Sequence, residues 1–466
     1  PRSLQMIFLQ PFPTPTAKLH ITASNAQLCL RFPDSGLFCS VRANAVALCF
    51  KSRYTTRMKL WIKYLLGLLL GMVAAFILPL SSAAVRDAVA FLFELAIRVG
   101  RYLVLPLLFF GVATAMYKLR MNRLTEKAAL WLLVCIILSS ILLTVVGLTS
   151  ILLVKLPRIP ISSDQTATPA AVDFKGLLRQ LLPFSSFTTL HDGVYLLPAF
   201  VFAALAGAGC ASDAQAAKPL TALLEASAKV CYAVLSFILE FMMVAMIAIG
   251  CYWMLQTRRA FITQTFVPLT VLLLADFVLV VVVLYPLLLR VCCREHHPYR
   301  VLYASLSSLL TAFFSGDANL TLLINTKHGR DNLGIHRRVN GISFPLFAIF
   351  ARGGSALVTT ICFVMILRSY SYLGFASNDL LWIFGMALAL SFATCALPSG
   401  SPLVMLTIMC TAYSRGFDTG YLLLQPAMPL VCSFAAAFDA ATAMFCSYFI
   451  GLKLNAVEHI PLRKYI

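Results

Sequence analysis

The sequence predicts an all-α, polytopic membrane protein, and three observations carry that expectation. Apolar runs recur at 59–79, 88–117, 128–156, 230–255, 266–293, 342–367 and 380–413, and each is long enough for a spanning helix, which needs about 20 residues. The chain is 60% hydrophobic and only 12% charged, with a mean hydropathy of +0.87; a soluble domain carries about twice that charged fraction. The runs also lack the alternation of barrel strands, which leaves the helix as the element that satisfies its own backbone in hydrocarbon.

A formal net charge of +19 raises the question of nucleic acid. The Lys and Arg residues sit instead in short clusters between apolar spans, the distribution of orientation signals. Clusters at 118–127, 290–300, 327–338 and 453–464 share one side if the first span starts in the cytoplasm, with Arg258 and Arg259 as an exception. The partner expected from composition is therefore the lipid bilayer and not nucleic acid, in a multi-pass protein of the cytoplasmic membrane. The 14 cysteines show no metal spacing and read as small hydrophobes. Neither a metal nor a cofactor is expected. No HExxH, GxSxG, nucleophile–base pair or phosphate-cradling loop points to an enzyme.

Taken in order, residues 1–57 break the pattern, with no spanning run, scattered prolines and mixed polarity. At Met58 the text changes to MKLWIKYLLGLLLG, a short basic start and a first span. The expectation is a non-native extension over 1–57 and a true start at Met58. Residues 58–297 read as a first membrane half and 298–466 as a hairpin-and-helix half. Residues 156–186, with Pro157, Pro160 and Pro169, read as an exposed loop. Two apolar stretches of the second half are interrupted, one by Ser-Gly-Asp-Ala-Asn at 315–319 and one by Pro-Ser-Gly-Ser-Pro at 398–402. Each break separates half-length apolar segments, the pattern of a re-entrant hairpin, and each is followed by a full apolar helix, at 342–367 and 422–451. Two short spans with flexible loops are the other reading. Non-helical backbone at membrane depth is tolerated only inside protein or along a water-filled cavity. Paired breaks in corresponding positions point to a binding site at an inverted-repeat interface, where helix ends offer N–H groups to a carboxylate and carbonyls to a cation.

Particular residues extend the comparison. The run from Leu333-Gly334-Ile335 through Arg338-Val339, Phe344-Pro345 and Gly353-Gly354-Ser355-Ala356, the tip Ala396-Leu397-Pro398-Ser399-Gly400, and 92–113 with its Pro106 together resemble the dicarboxylate/amino acid:cation symporter family. That family includes the glutamate and neutral amino acid transporters, and the resemblance runs from Met58 to about Leu454. It implies about eight helices plus two re-entrant hairpins in inverted repeats, a homotrimer, and an elevator in which a transport core at 298–466 moves against 58–297, which is largely fixed scaffold and trimerisation surface. It places substrate-binding residues at Asp317 and Asn319 of the first tip, Ser355 of the seventh helix, Pro398, Ser399, Gly400 and Ser401 of the second tip, and Asp439 and Thr442 of the eighth helix, with Arg352 beside them.

The departures matter as much. The first tip has Asp317, Ala318 and Asn319 where the family is serine-rich. The seventh helix reads Ala351-Arg352-Gly353-Gly354-Ser355 in place of Asn-Met-Asp-Gly-Thr. Asp439 falls on the aspartate that binds the substrate amino group, and Thr442 on the arginine of acidic-substrate members. Cys446 and Ile450 replace an asparagine and an aspartate. Sodium wants hard oxygen donors, and Ala351, Gly353, Cys446 and Ile450 offer none from their side chains.

An ionisable group inside a span is costly and functional by default. Asp439 lies three positions from Thr442, on one helix face. For Arg352 three roles stay open: a bidentate clamp for a substrate carboxylate, a fixed charge in place of a bound sodium, or an ion pair with Asp317 or Asp439. Glu240 and Asp276 are candidates for proton coupling. Arg98 and Arg101 read as helix-end anchors or partners of Glu94. The resulting expectation is a secondary active transporter, symporter or exchanger, of amino acids or related small carboxylates, not using the usual sodium sites and with the proton favoured over sodium as coupling ion. The alternative is an anion-conducting, channel-like or non-transporting relative of the same fold.

Overall fold

A computed structural model describes residues 27–30, 39–42, 59–78, 82–154, 156–159, 195–262, 265–370, 377–413 and 419–465. The chain divides into two compact units, Pro1–Met58 and Lys59–Ile466. In the first, β1 (Gln27–Leu30) and β2 (Cys39–Arg42) pair antiparallel, Gln27 opposite Arg42. The rest of 1–57 lies outside the described residues, as does the expected loop at 156–186 from residue 160 onward.

The second unit is built of helices. Among the described residues, seven helical stretches are long and apolar enough to cross a membrane. The first is α1 (Leu60–Ile77). The run at 88–117 forms two helices, α2 (Ala83–Arg101) and α3 (Val104–Met121). Pro106 sits in the first turn of α3, where a missing N–H costs no helical bond. Next come α4 (Thr125–Leu153), α5 (Leu197–Ser212) and the 45-residue α6 (Lys218–Ile262). The apolar α5 was absent from the expected spans. It packs on α3 so closely that a Cβ on Gly207 would stand 2.3 Å from the Ala113 carbonyl oxygen. Helices α7 (Val267–Val278) and α8 (Tyr285–Cys293) are joined by a π-helical turn, Leu279–Leu284, next to Pro286, which has no N–H to give the Val282 carbonyl.

The second half contains both hairpins. Helices α9 (Tyr299–Ser315) and α10 (Ala318–Asp331) form the first. Helix α13 (Ser377–Ala393), a 3-10 turn at Thr394–Ala396 and α14 (Ser401–Tyr413) form the second. Gly316 and Gly400 reverse the chain at the tips with φ of 62° and 73°, a conformation only glycine adopts without strain. Between the hairpins, the expected single helix at 342–367 is instead broken into α11 (Arg337–Phe350) and α12 (Gly353–Tyr370). Ala351 has a ψ of 73°, which ends the α-helical run just before Arg352. A 3-10 segment, Gly420–Ala427, leads into α15 (Met428–Lys453).

Burial ranks these elements. The most apolar windows of Arg337–Tyr370 and Gly420–Lys453 are 94% and 83% buried in protein, while those of the five earlier stretches are 33–39% buried. Helices α11, α12 and α15 are thus the centre, and the five earlier stretches lie around them with exposed apolar faces. Although α4 and α7 belong to 58–297, α4 packs on α12 and α15 and α7 packs on α15, so the central helices draw neighbours from both halves of the chain.

Candidate functional site

Three interruptions of helical backbone meet at the centre. The Ala318 N–H of the first tip donates to the Pro398 carbonyl of the second at 2.9 Å. Arg352, in the break between α11 and α12, donates from Nη2 to the Leu397 carbonyl at 2.6 Å. Its Nη1 stands 3.7 Å from Asp439 Oδ2. Both side chains are buried. Asp439 also accepts from the Gly354 N–H at 2.8 Å and from Ser355 Oγ at 3.2 Å. These donors belong to the first turn of α12, where unsatisfied N–H groups and the helix dipole favour a carboxylate. Glycine is required there by space: a Cβ on Gly354 would lie 2.4 Å from Phe438 Cβ and 2.8 Å from Asp439 Oδ1.

Of the partners considered for Arg352, the ion pair is therefore with Asp439. Asp317 is engaged elsewhere. One of its oxygens accepts from the Leu320 N–H at 2.9 Å and caps α10. The other pairs with Arg101. This corrects the reading of Arg101 as an anchor or a partner of Glu94: Glu94 is taken by the exposed Arg98 at 2.5 Å. Thr442 donates to the Phe438 carbonyl at 2.8 Å, and its hydroxyl lies 2.6 Å from the Tyr285 hydroxyl, so Tyr285 is the donor in that second contact. Neither Arg101 nor Tyr285 was singled out for the site. An arginine inside an apolar run was the visible signal for the first, and nothing in the sequence marked the second.

At the second tip, backbone carbonyls of Leu397 and Pro398 reach inward, Ser399 is exposed, and Ser401 is buried at the start of α14. Asn319 is buried in the first turn of α10. A small cavity lies between α10, α11 and α15, with Thr321, Asn325, Phe347, Arg352, Asp439 and Ala440 among its walls. Arg352 and Asp439 put opposite charges on a surface that is otherwise small and largely apolar. Glu240 and Asp276 do not line it. Asp276 is buried and accepts from Ser150 Oγ at 2.8 Å, joining α7 to α4; Glu240 is half-buried on α6. No group of three or more His, Cys, Asp or Glu side chains suited to a metal ion occurs among the described residues.

Residues 60–451 match the family model described as Sodium:dicarboxylate symporter family. The chain belongs to that family. No curated protein matches it. As a sodium:dicarboxylate symporter family member it is a multi-pass integral membrane protein of a group of transporters, not enzymes, that move small-molecule substrates with coupled cations. Within the family segment lie both hairpins, the broken α11–α12 pair and all of the Arg352–Asp439 contacts described above.

Proposed function

We propose that the protein is a secondary transporter of neutral amino acids, working by symport or exchange, in which Arg352 and Asp439 receive the two ends of the zwitterion. The observation that carries this reading is the loose pairing of two buried opposite charges in one cavity wall, 3.7 Å apart. That separation exceeds the reach of a hydrogen bond, so a substrate carboxylate at the guanidinium and an ammonium at the carboxylate replace one long ion pair with two charge-assisted hydrogen bonds. Thr442 supplies a hydroxyl, already held by Tyr285, and no second cation for an acidic side chain.

The same arrangement favours independence from the family's usual sodium sites. Ala351, Gly353, Cys446 and Ile450 bring no hard side-chain oxygen. The guanidinium of Arg352 already occupies the Leu397 carbonyl at the hairpin tip, so a fixed charge stands where a mobile cation is otherwise recruited. Glu240 and Asp276 are the candidates for carrying a proton in its place, and a homotrimer in the cytoplasmic membrane is the assembly the family resemblance implies. Counterflow of labelled amino acids into reconstituted vesicles tests the reading. Counterflow that persists when choline replaces sodium is expected; proton-coupled symport adds net uptake that rises as external pH falls and collapses with a protonophore, and simple exchange shows neither. Loss of accumulation in choline overturns sodium independence, and absence of counterflow with conserved anion current turns the assignment to a channel.

A further inference from the structure

A second crevice opens between α3 and α6 on one side and α10 and α11 on the other, and shares only Leu322 with the cavity at Arg352 and Asp439. Its wall on α3 is a single stripe: Val104, Leu107, Gly111 and Ala115, then Lys118. At 1.5 Å per residue this stripe is about 21 Å long, apolar for most of its length and charged at one end. Leu323 faces it from α10, and Gly111 leaves room, since a Cβ there would meet nothing within 4 Å.

The charged end is cationic in excess. Lys118, Arg330 and Arg337 line it with one carboxylate, Glu225, so three cations less one anion leave two positive charges. Glu225 is spent on Lys118 at 2.5 Å. Arg330 lies flat over the Tyr232 ring, 3.9 Å from its centroid, and its contact with the adjacent Asp331 is 3.9 Å long. Arg337 makes no hydrogen bond or ion pair among the described residues. Lys118 and Arg337 continue with His336 and Arg338 into an adjoining crevice. These residues fall in the basic clusters that mark one face of the membrane.

We propose that this crevice binds an anionic phospholipid, with an acyl chain along the α3 stripe and the phosphate between Arg330 and Arg337. An apolar stripe that ends in charge suits an amphiphile, basic recesses between membrane helices suit anionic headgroups, and the excess of cations over carboxylates along this lining discriminates against a zwitterionic lipid. Free phosphate would use the charged end and leave the apolar stripe without a role.

Titration of the purified full-length chain, followed by native mass spectrometry, tests this with phosphatidylglycerol, phosphatidylcholine and inorganic phosphate as probes. Phosphatidylglycerol is expected to bind at least about tenfold more tightly than phosphatidylcholine. Arg330→Gln with Arg337→Gln removes the preference, while Arg330→Lys with Arg337→Lys retains it and shows that the fold survives. Gly111→Leu, which fills the crevice, weakens both lipids and leaves phosphate unaffected. Equal affinity for the two lipids, a preference that survives the double Gln variant, or phosphatidylglycerol binding indifferent to Gly111→Leu would each overturn the proposal, the last in favour of a simple phosphate site.

Discussion

Arg352→Gln and Asp439→Asn, singly and together, separate a structural ion pair from a zwitterion receptor. Two unit charges 3.7 Å apart attract by about 4 kcal/mol at the effective dielectric of about 20 that suits protein sites. Removing one partner of a buried pair typically costs about 3–5 kcal/mol, because the other is stranded. In Arg352→Gln, Asp439 keeps the Gly354 and Ser355 N–H groups and the Ser355 hydroxyl but no cation; in Asp439→Asn, Arg352 keeps the Leu397 carbonyl but no anion. Each single variant should therefore melt well below the wild type, and the double variant, with no stranded charge, should recover much of that loss. Binding should behave in the opposite way. A partner lost from a desolvated charge contact costs about 2–5 kcal/mol, at least about thirtyfold in Kd, and the double variant loses both contacts. Melting temperature and binding of a labelled neutral amino acid, measured on all four proteins, distinguish the cases. If the double variant binds within about threefold of wild type, neither charge touches the substrate and the receptor reading fails.

Three further outcomes follow from named contacts. Arg101→Gln strands the carboxylate of buried Asp317 and should cost about 3–5 kcal/mol, whereas Arg98→Gln, on an exposed pair with Glu94, should cost under about 1 kcal/mol; equal shifts in thermal unfolding would contradict the pairing. Gly354→Ala drives a methyl into Phe438 and Asp439 and should destabilise by about 1–3 kcal/mol and weaken substrate binding, while Gly385→Ala, whose added Cβ meets nothing within 4 Å, should be neutral or stabilising. Tyr285→Phe removes the donor to Thr442 and should cost about 1 kcal/mol, with Thr442→Val adding less on the Phe background than on the wild type; additive losses in a melting cycle would show that the two hydroxyls act independently.

The elements that could be read from the residues are those with a local cause. Ser-Gly-Asp-Ala-Asn and Pro-Ser-Gly-Ser-Pro interrupt apolar text because glycine and proline act on the backbone where they stand, and the structure turns at Gly316 and Gly400 as that implies. The burial of Arg352 and Asp439 was legible because a charge within a span has few places to go. Pairing was not. Arg98 and Arg101 share a helix turn and differ only in what reaches them from residues more than two hundred positions away, a hairpin tip for one and solvent for the other. The break at Ala351 was hidden within an apolar run, and α5 was overlooked because sixteen residues fall short of a full span although Gly207 lets the helix bury itself against α3.

The hydrogen bond between the two hairpin tips, from the Ala318 N–H to the Pro398 carbonyl, ties their movements in an unwelcome direction. Parting either tip orphans both groups at once, at a net cost of about 1 kcal/mol for an ordinary hydrogen bond and more where water is excluded. Once the first tip has moved, that cost has been met and the second is released more easily. Taken alone, such a link makes simultaneous opening more probable, and a carrier open on both faces leaks. Protection must therefore come from contacts the tips do not share: the Asp317–Arg101 pair holds the first and the Arg352–Leu397 bond holds the second. A substrate that draws Arg352 away from Leu397 loosens only one of these latches and leaves the other shut.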